Sequence, residues 1–379
     1  MLGNSLFMTI KDIFSKINAW LHLWLGIASG IVVFIISITG CILVFEQEIK
    51  DWTHANLKVA AQHEDQLLPP SVIHQAVSKA VPGKEISSMW YHGLDKTVAV
   101  SLNSDSTVFV NPYTAKIVAF QDHEDFFHEV DELHRNLMLG RKIGKPIVGW
   151  STFIFFFLLI SGLILWWPKK WNKNNRDKSF KIKWKAKFKR INYDLHNVLG
   201  FYTLLIAVLM AVTGLVMSFS WFSRSMYWVT GGDGGPRKRP AKELFTPSAE
   251  PALVSADKIW YKVRNEIALH NKNNVIVSIP GKPDELIYAC TDMFSGFWRD
   301  LYFEPATLEL SARSGKRLGE LSFADQVRKL NYSLHVGASL GLTSKIIYFI
   351  SSLVCASLPV TGFYIWWGKK RKKSKKRSL

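Results

Sequence analysis

The sequence is poor in cysteine and lacks two motifs that would indicate familiar redox domains. Three cysteines in 379 residues are too few for a disulfide framework. A Gly-x-Gly-x-x-Gly fingerprint is absent, which disfavours a Rossmann dinucleotide fold. A Cys-x-x-Cys-His sequence is also absent, which excludes a covalently attached c-type haem. Apolar residues make up 48% of the chain, and this excludes a disordered or collagen-like protein.

Acidic residues are scarce as well, with 30 Asp and Glu against 48 Lys and Arg, for a net charge of +18. The excess is confined to residues 1–18, residues 168–190 with eleven Lys and Arg, and residues 368–379 with eight. Each of these segments adjoins a long apolar run. Positive charge in that position predicts contact with anionic membrane lipid and no nucleic acid partner. Docking of an acidic electron donor remains an alternative for the same charge.

Four apolar runs contain no acidic residue, and only Lys345 places a charge inside one of them. They cover about residues 19–45, 146–167, 195–222 and 336–367. Each is long enough to cross roughly 30 Å of hydrocarbon at about 1.5 Å per residue. Tryptophans stand at several of their ends, as in the aromatic belt of membrane helices. We therefore expect a membrane α-helical fold with four transmembrane helices.

The positive charge also predicts the orientation of these helices. Because Lys and Arg accumulate in cytoplasmic segments, the N-terminus, the 168–190 loop and the C-terminal tail are expected inside the cell. The long loops between helices one and two and between helices three and four are then outside, in the periplasm. The chain is thus expected to be a multi-pass protein of the bacterial cytoplasmic (inner) membrane.

The chain is duplicated as a two-helix unit. Helices one and three both open with Leu-His-x-x-Leu-Gly, at residues 21–26 and 195–200. The segments before helices two and four carry Leu133-His134 and Leu334-His335, and both helices end in a Ser/Thr-Gly pair followed by Trp-Trp. Each outside loop has a short helical pattern followed by alternating strands, which predicts two small α+β domains outside the membrane.

The duplication and the charge pattern divide the chain into eight segments. They are an N-terminal segment with helix one (1–48), a first outside domain (49–145), helix two (146–167), a basic cytoplasmic loop (168–192), helix three (193–222), a second outside domain (223–335), helix four (336–367) and a basic tail (368–379).

Four histidines occupy equivalent positions in the repeats and are the candidate cofactor ligands. His22 and His196 lie near the cytoplasmic ends of helices one and three, whereas His134 and His335 lie at the outside ends of helices two and four. Ionisable residues in membrane segments are functional candidates by default. Two imidazoles per membrane face are what a non-covalent, bis-histidine b-type haem requires. Zinc is disfavoured because no cysteine or carboxylate accompanies the membrane pair.

Small residues accompany these histidines. Gly26 and Gly200 follow His22 and His196 by four residues, on the same helical face, where a flat ligand needs room. Each membrane helix also carries one Ser/Thr-Gly pair toward the end opposite its own histidine: Thr39-Gly40, Ser161-Gly162, Thr213-Gly214 and Thr361-Gly362. Those pairs are expected beside the histidines of the other helices, although tight helix packing uses small residues widely.

The repeated unit resembles the PepSY-associated transmembrane family over about residues 15–370. Some members of that family are inner-membrane di-haem reductases that release iron from ferric siderophores in the periplasm. The resemblance implies PepSY-like outside domains and two non-covalent b-type haems, the inner one held by His22 and His196 and the outer one by His134 and His335. It implies an oxidoreductase that acts on a ferric siderophore or another Fe(III) complex.

Several points remain open at the level of sequence. His128 competes with His134 as an outer ligand, and Arg135 and Arg141 are candidate partners for haem propionates. The cytoplasmic segments are too short for a flavin or nicotinamide domain, so electrons must come from quinol or a separate reductase. A PepSY protein that binds peptides or regulates a peptidase is the alternative function. A transporter is a third possibility, disfavoured because the repeats are parallel and no helix looks broken.

Overall fold

The structure is a computed structural model that describes residues 10–377 except 54–56, 104–105, 122–124, 169, 234–244 and 294–297. The first nine residues of the predicted segment 1–48 and the last two of the tail therefore lie outside the described residues. The chain separates into two compact units. The helical unit comprises residues 1–45, 129–226 and 331–379, and the sheet unit comprises residues 46–128 and 227–330.

The described residues form thirteen α-helices and seven strands. The helices are α1 Ile10–Val44, α2 Glu46–Thr53, α3 Pro70–Ala80, α4 Phe126–Asn136, α5 Gly140–Trp166, α6 Lys173–Phe180, α7 Phe188–Asp194, α8 Gly200–Tyr202, α9 Leu204–Ser218, α10 Ser220–Val229, α11 Ala252–Lys262, α12 Phe323–Val336 and α13 Gly341–Arg377. The strands are β1 Ile86–His92, β2 Val98–Leu102, β3 Thr107–Val110, β4 Ile117–Gln121, β5 Asn274–Ser278, β6 Ile287–Thr291 and β7 Arg299–Phe303.

Three helices are long and apolar enough to cross a membrane, over Asp12–Val44, Gly140–Trp166 and Ala338–Gly368. In the helical unit α1 packs against both α5 and α13, and α5 packs against α9. Small residues allow the close approach, since a Cβ atom on Gly30 would stand 3.2 Å from Pro359. The buried Cys355 packs with Leu159 and Ala211 in the same unit, as expected for a small residue between membrane helices.

The third apolar run is not one straight helix, whereas nothing in the sequence indicates a broken helix. The segments Phe188–Tyr202 and Leu204–Ser218 are bent by 66°. A π-turn occupies Leu195–Leu199, and the Thr203 hydroxyl donates to the Leu199 carbonyl oxygen at 2.9 Å. Both features are known causes of helix bending. The pair counts as a fourth span only if it is taken as one bent element.

The sheet unit contains a single antiparallel sheet with strand order β4-β3-β2-β1-β5-β6-β7. The sequence predicts two separate α+β domains, but β1 of the first loop pairs with β5 of the second, with Met89 opposite Val277. Helices α3 and α11 share one core on this sheet, through Ile73 and Trp260 among others. Pairing β1 with β5 covers two edges that separate small sheets would expose, and this explains the difference.

His92, at the end of β1, gives the sheet unit a predictable response to acid. Its ring stacks on Trp90 with centroids 4.1 Å apart, and burial, aided by Lys96, lowers the pKa of His92 to about 4. Between pH 6.5 and pH 4 the unfolded chain therefore binds a proton that the folded chain does not bind. The contribution of His92 to the free energy of unfolding should be fully present above about pH 6.5. It should fall toward pH 4, by at most about 1.4 kcal/mol per pH unit.

The measurement is denaturant unfolding of the purified protein across this pH range, followed by tryptophan fluorescence. His92→Gln should remove part of the slope, whereas His270→Gln, at an exposed position, should leave the slope unchanged. Equal slopes for wild type and His92→Gln would contradict the assignment.

Candidate functional site

The structure brings the four candidate histidines together in two pairs, both within the helical unit. The rings of His22 on α1 and His196 in the π-turn have centroids 6.5 Å apart, at an interplanar angle of 88°. The rings of His134 on α4 and His335 on α12 have centroids 6.2 Å apart, at 64°. Each pair thus joins one histidine from each repeat.

The two pairs lie near opposite ends of α1. His22 belongs to the first pair, and Thr39 on the same helix touches His134 of the second pair. These two positions on α1 are 17 residues apart in the sequence, which corresponds to about 25 Å along a helix. The arrangement therefore offers one histidine pair near each end of a membrane-spanning helix.

Each histidine contacts a hydroxyl group on a neighbouring helix through its Nδ1 atom. The four contacts are His22 with Ser161 Oγ at 2.7 Å, His134 with Thr39 Oγ1 at 2.9 Å, His196 with Thr361 Oγ1 at 2.9 Å and His335 with Thr213 Oγ1 at 2.9 Å. These are the hydroxyls of the four Ser/Thr-Gly pairs, on the helices where the duplication placed them.

The hydroxyl contacts determine the tautomer of each ring. Every one of these hydroxyls donates its proton to a carbonyl oxygen of its own helix, for example Thr39 to Ile35 at 2.9 Å and Thr361 to Ser357 at 2.9 Å; Thr213 and Ser161 do the same. Its oxygen must then accept from Nδ1–H of the histidine. The lone pair therefore resides on Nε2, which is the arrangement of a metal-ligating histidine with its second nitrogen fixed.

The glycine of each Ser/Thr-Gly pair leaves space for the histidine ring. A Cβ atom built on Gly162 would lie 3.3 Å from Cε1 of His22, and one on Gly40 would lie 3.4 Å from Cε1 of His134. The corresponding distance is 3.3 Å for Gly362 with His196 and for Gly214 with His335. A side chain at any of these positions would push the imidazole away, so the glycines contribute by allowing the rings to approach the helices.

Three asparagines escaped the sequence analysis although they belong to the same sites. Asn18, Asn192 and Asn331 each donate from Nδ2 to the backbone carbonyl of the Ser or Thr in the pair, at 3.2, 3.0 and 3.1 Å. Each stands four residues before its histidine, in the pattern Asn-x-x-Leu-His. That repeated spacing was the available signal. At His134 the equivalent residue is Val130, so this site has no such bond.

This difference between sites allows a matched experiment. Asn331→Leu should lower the stability of the protein by roughly 0.5–1.5 kcal/mol, because the hydrogen bond from Asn331 to the Thr213 carbonyl is lost. Val130→Asn should supply the missing donor beside His134 and be neutral or stabilising. Thermal unfolding in detergent measures both, with Tyr332→Leu as an exposed control on the same helix. A wild-type melting temperature for Asn331→Leu would contradict the assigned bond.

The outer histidines are neutral at physiological pH. Burial, aided by the charge of Arg135, lowers the pKa of His134 to about 4. Burial also lowers the pKa of His335 to about 4. A neutral imidazole is the form that binds a metal, so the surroundings of both rings favour ligation over protonation.

The distances within the pairs suit a single metal ion between two rings. Since an imidazole nitrogen binds a first-row metal at about 2.0–2.1 Å and the ring centre lies roughly 1.1 Å behind that nitrogen, two rings on opposite sides of one ion have centroids about 6.3 Å apart. The observed 6.5 and 6.2 Å bracket this value. Among the described residues no group of three or more His, Cys, Asp or Glu could hold a metal ion. Two imidazoles that face one another are also a ligand set that could hold a haem iron, whose porphyrin supplies the remaining ligands.

The structure also shows the surroundings of the other candidate residues, two glycines and two arginines. Gly26 and Gly200 are open positions, where an added Cβ would meet nothing nearer than Leu158 at 3.9 Å and Leu358 at 3.5 Å, respectively. Arg135 forms an ion pair with Asp131 at 2.7 Å and is half exposed, and Arg141 is exposed.

The segments that follow the two outer histidines differ between the repeats. His128 is exposed, and its backbone N–H donates to Asp125. In the first repeat α4 continues to Asn136, two residues after His134, and Leu137 and Met138 then adopt a positive φ of 57°. In the second, α12 ends one residue after His335 and Gly337 adopts a positive φ of 69°.

Comparison with known proteins gives one match over most of the chain. A family model described as "PepSY-associated TM region" matches residues 19–369. This range includes both histidine pairs and all seven strands. No curated protein matches the chain.

Proposed function

Because the chain belongs to the PepSY-associated TM region family, we propose that this membrane protein is a di-haem electron-transfer protein that reduces ferric iron. In this proposal His22 and His196 ligate an inner b-type haem, and His134 and His335 ligate an outer one. The substrate is a ferric siderophore or another Fe(III) complex. Electrons cross the membrane from the cytoplasmic side to the periplasmic side.

One observation carries the proposal: two pairs of histidines, each with centroids close to the spacing for one shared metal ion, lie near opposite ends of α1. In all four the Nδ1–H is bound to a hydroxyl, which leaves Nε2 for the metal. A packing role for the histidines requires neither the spacing nor the shared tautomer.

The residues of the chain have distinct tasks in this function. Ser161, Thr361, Thr39 and Thr213 orient the imidazoles, and their glycine neighbours let the rings approach. Gly26 and Gly200 leave room on the face that carries the inner histidines. When bound, the haems supply one-electron chemistry, and their ligands and burial set the reduction potentials.

The direction of electron flow follows from the charge distribution. The basic 168–190 loop and the C-terminal tail favour an orientation with the His22–His196 pair on the cytoplasmic side of an inner membrane and both termini in the cytoplasm. Electrons enter there from quinol or a separate reductase. They leave on the periplasmic side, where reduction weakens the hold of siderophore oxygens on iron and releases it for uptake.

The deciding experiment is a pyridine haemochrome titration of the purified protein. We expect two haems per chain, and we expect Fe(II) to appear outside reconstituted vesicles when a reductant acts from inside. A value of zero overturns the proposal, and a value of one overturns the pairing.

A second candidate is supported by one observation. The 66° bend between Phe188–Tyr202 and Leu204–Ser218 is a feature found in transporters, whose substrate sites lie at broken helices. No charged residue accompanies the bend within the apolar run, so an ionic substrate would find no counter-charge there. Haem stoichiometry separates the two candidates, because a transporter of this kind needs none.

A further inference from the structure

A cavity in the helical unit has a composition that the electron-transfer function does not explain. It has a volume of about 960 Å³ and lies between the C-terminal end of α5, residues 364–368 of α13 and the segment 187–197. Lys178, Lys187, Lys189 and Arg190 line it, and none of the described residues that line it is Asp or Glu. Arg190 is engaged with Asp194 through Nη2 at 2.8 Å, so three lysines remain for an anion.

Outward-facing aromatic side chains form another part of the wall. Trp167, Phe188 and Tyr364 line the cavity, and their side chains are 60, 69 and 54% exposed. They stand at the ends of apolar helices, where tryptophan and tyrosine occupy the boundary between hydrocarbon and headgroups. A ligand for this wall must be anionic at one end and apolar over most of its length.

We propose that this cavity is a specific binding site for an anionic phospholipid, with the phosphate on the lysines and the acyl chains against the aromatic side chains. Basic pockets between membrane helices bind such headgroups. A quinol carries no charge for three lysines. A soluble aromatic phosphate has no need of exposed aromatic side chains at the ends of membrane helices.

The site has a consequence for the inner histidine pair, which rests on the proposed function. Asn192 and Asn197 line the cavity. The Asn192 side chain donates to the Thr361 carbonyl oxygen at 3.0 Å, and Nδ1 of His196 contacts the Thr361 hydroxyl at 2.9 Å. Asn197 follows His196 in the π-turn. Lipid in the cavity therefore fixes the segment that positions His196.

The test compares two triple variants in the same loop. Lys178→Gln/Lys187→Gln/Lys189→Gln removes the lysines of the cavity. Lys181→Gln/Lys183→Gln/Lys185→Gln removes the same charge from positions that do not line it. The full-length protein is purified in detergent, and titration with phosphatidylglycerol, cardiolipin or phosphatidylcholine is followed by native mass spectrometry and melting temperature.

We expect one tightly bound anionic lipid per chain in the wild type and the control variant. Since each lysine near an anionic headgroup contributes about fivefold in affinity, the cavity variant should bind about 100-fold more weakly. Phosphatidylcholine should not compete. Equal weakening in both variants overturns the site in favour of diffuse attraction to the surface.

Other ligands are separate arms of the same experiment. The assignment of a lipid is overturned if inorganic phosphate raises the melting temperature as much as cardiolipin does. It is also overturned if flavin mononucleotide or a short-chain quinol displaces the lipid. The spectrum of the inner haem should shift between anionic and neutral lipid in the wild type but not in the cavity variant. If the protein binds the lipid but contains no haem, the lipid site is supported and the proposed function is contradicted. If it contains haem but does not distinguish anionic from neutral lipid, the proposed function is supported and the lipid site is contradicted.

Discussion

Replacing His22 with alanine should leave the purified protein with one low-spin haem per chain instead of two. His22 faces His196 across 6.5 Å, and a site that loses one of its two axial nitrogens should hold its cofactor at least about 100-fold more weakly, since even loss of an outer-shell partner of a metal ligand costs about 10- to 100-fold. His134→Ala should remove the other haem, and the double variant should retain none. Pyridine haemochrome assays and visible spectra measure these losses.

His128→Ala is the matched control, because this histidine lies near His134 in sequence and is exposed. It should keep both haems. Loss of the outer haem in His128→Ala, together with its retention in His134→Ala, would reassign the outer ligand. A Soret band of wild-type intensity in the His22→Ala/His134→Ala variant would falsify ligation by the two pairs.

The pairing of the histidines could be predicted because the four histidines occupy equivalent positions in the two repeats. Once Leu-His-x-x-Leu-Gly recurs at His22 and His196 and the outer Leu-His segments match, two-fold related positions place equivalent residues together. The Ser/Thr-Gly pairs were likewise placed beside the partner helices' histidines by their position along each helix. The structure adds the chemical reason, since the hydroxyl of each pair accepts from Nδ1 and determines the tautomer.

Two features could not be predicted because their causes are invisible in an apolar pattern. The bend near Thr203 follows the π-turn at Leu195–Leu199, and an apolar run gives no sign that one of its turns contains an extra residue. The β1–β5 pairing depends on which strand edges meet, whereas alternation reports only which face is buried. The asparagines before the histidines could have been found, because Asn-x-x-Leu-His recurs at His22, His196 and His335.

Enlarging Gly26 should remove the inner haem without unfolding the protein. Gly26 lies one turn beyond His22 on the same face of α1, and an added Cβ there would meet no protein atom closer than 3.9 Å. An alanine should therefore fit among the protein side chains, and it should favour the helix by up to about 1 kcal/mol. A flat macrocycle ligated by His22 needs that space. We expect Gly26→Ala to weaken haem retention and Gly26→Leu to abolish it at this site.

Gly162→Ala provides the contrast, because its Cβ would lie 3.3 Å from Cε1 of His22. That variant should disturb the histidine itself and thus alter the spectrum of the inner haem even where the haem stays bound. Melting temperature and haem content, measured together, distinguish the two cases. Gly26→Ala should melt at or above the wild-type temperature once both proteins are stripped of haem. Two haems and an unaltered spectrum in Gly26→Leu would mean that the cofactor does not use the face of α1 that carries His22.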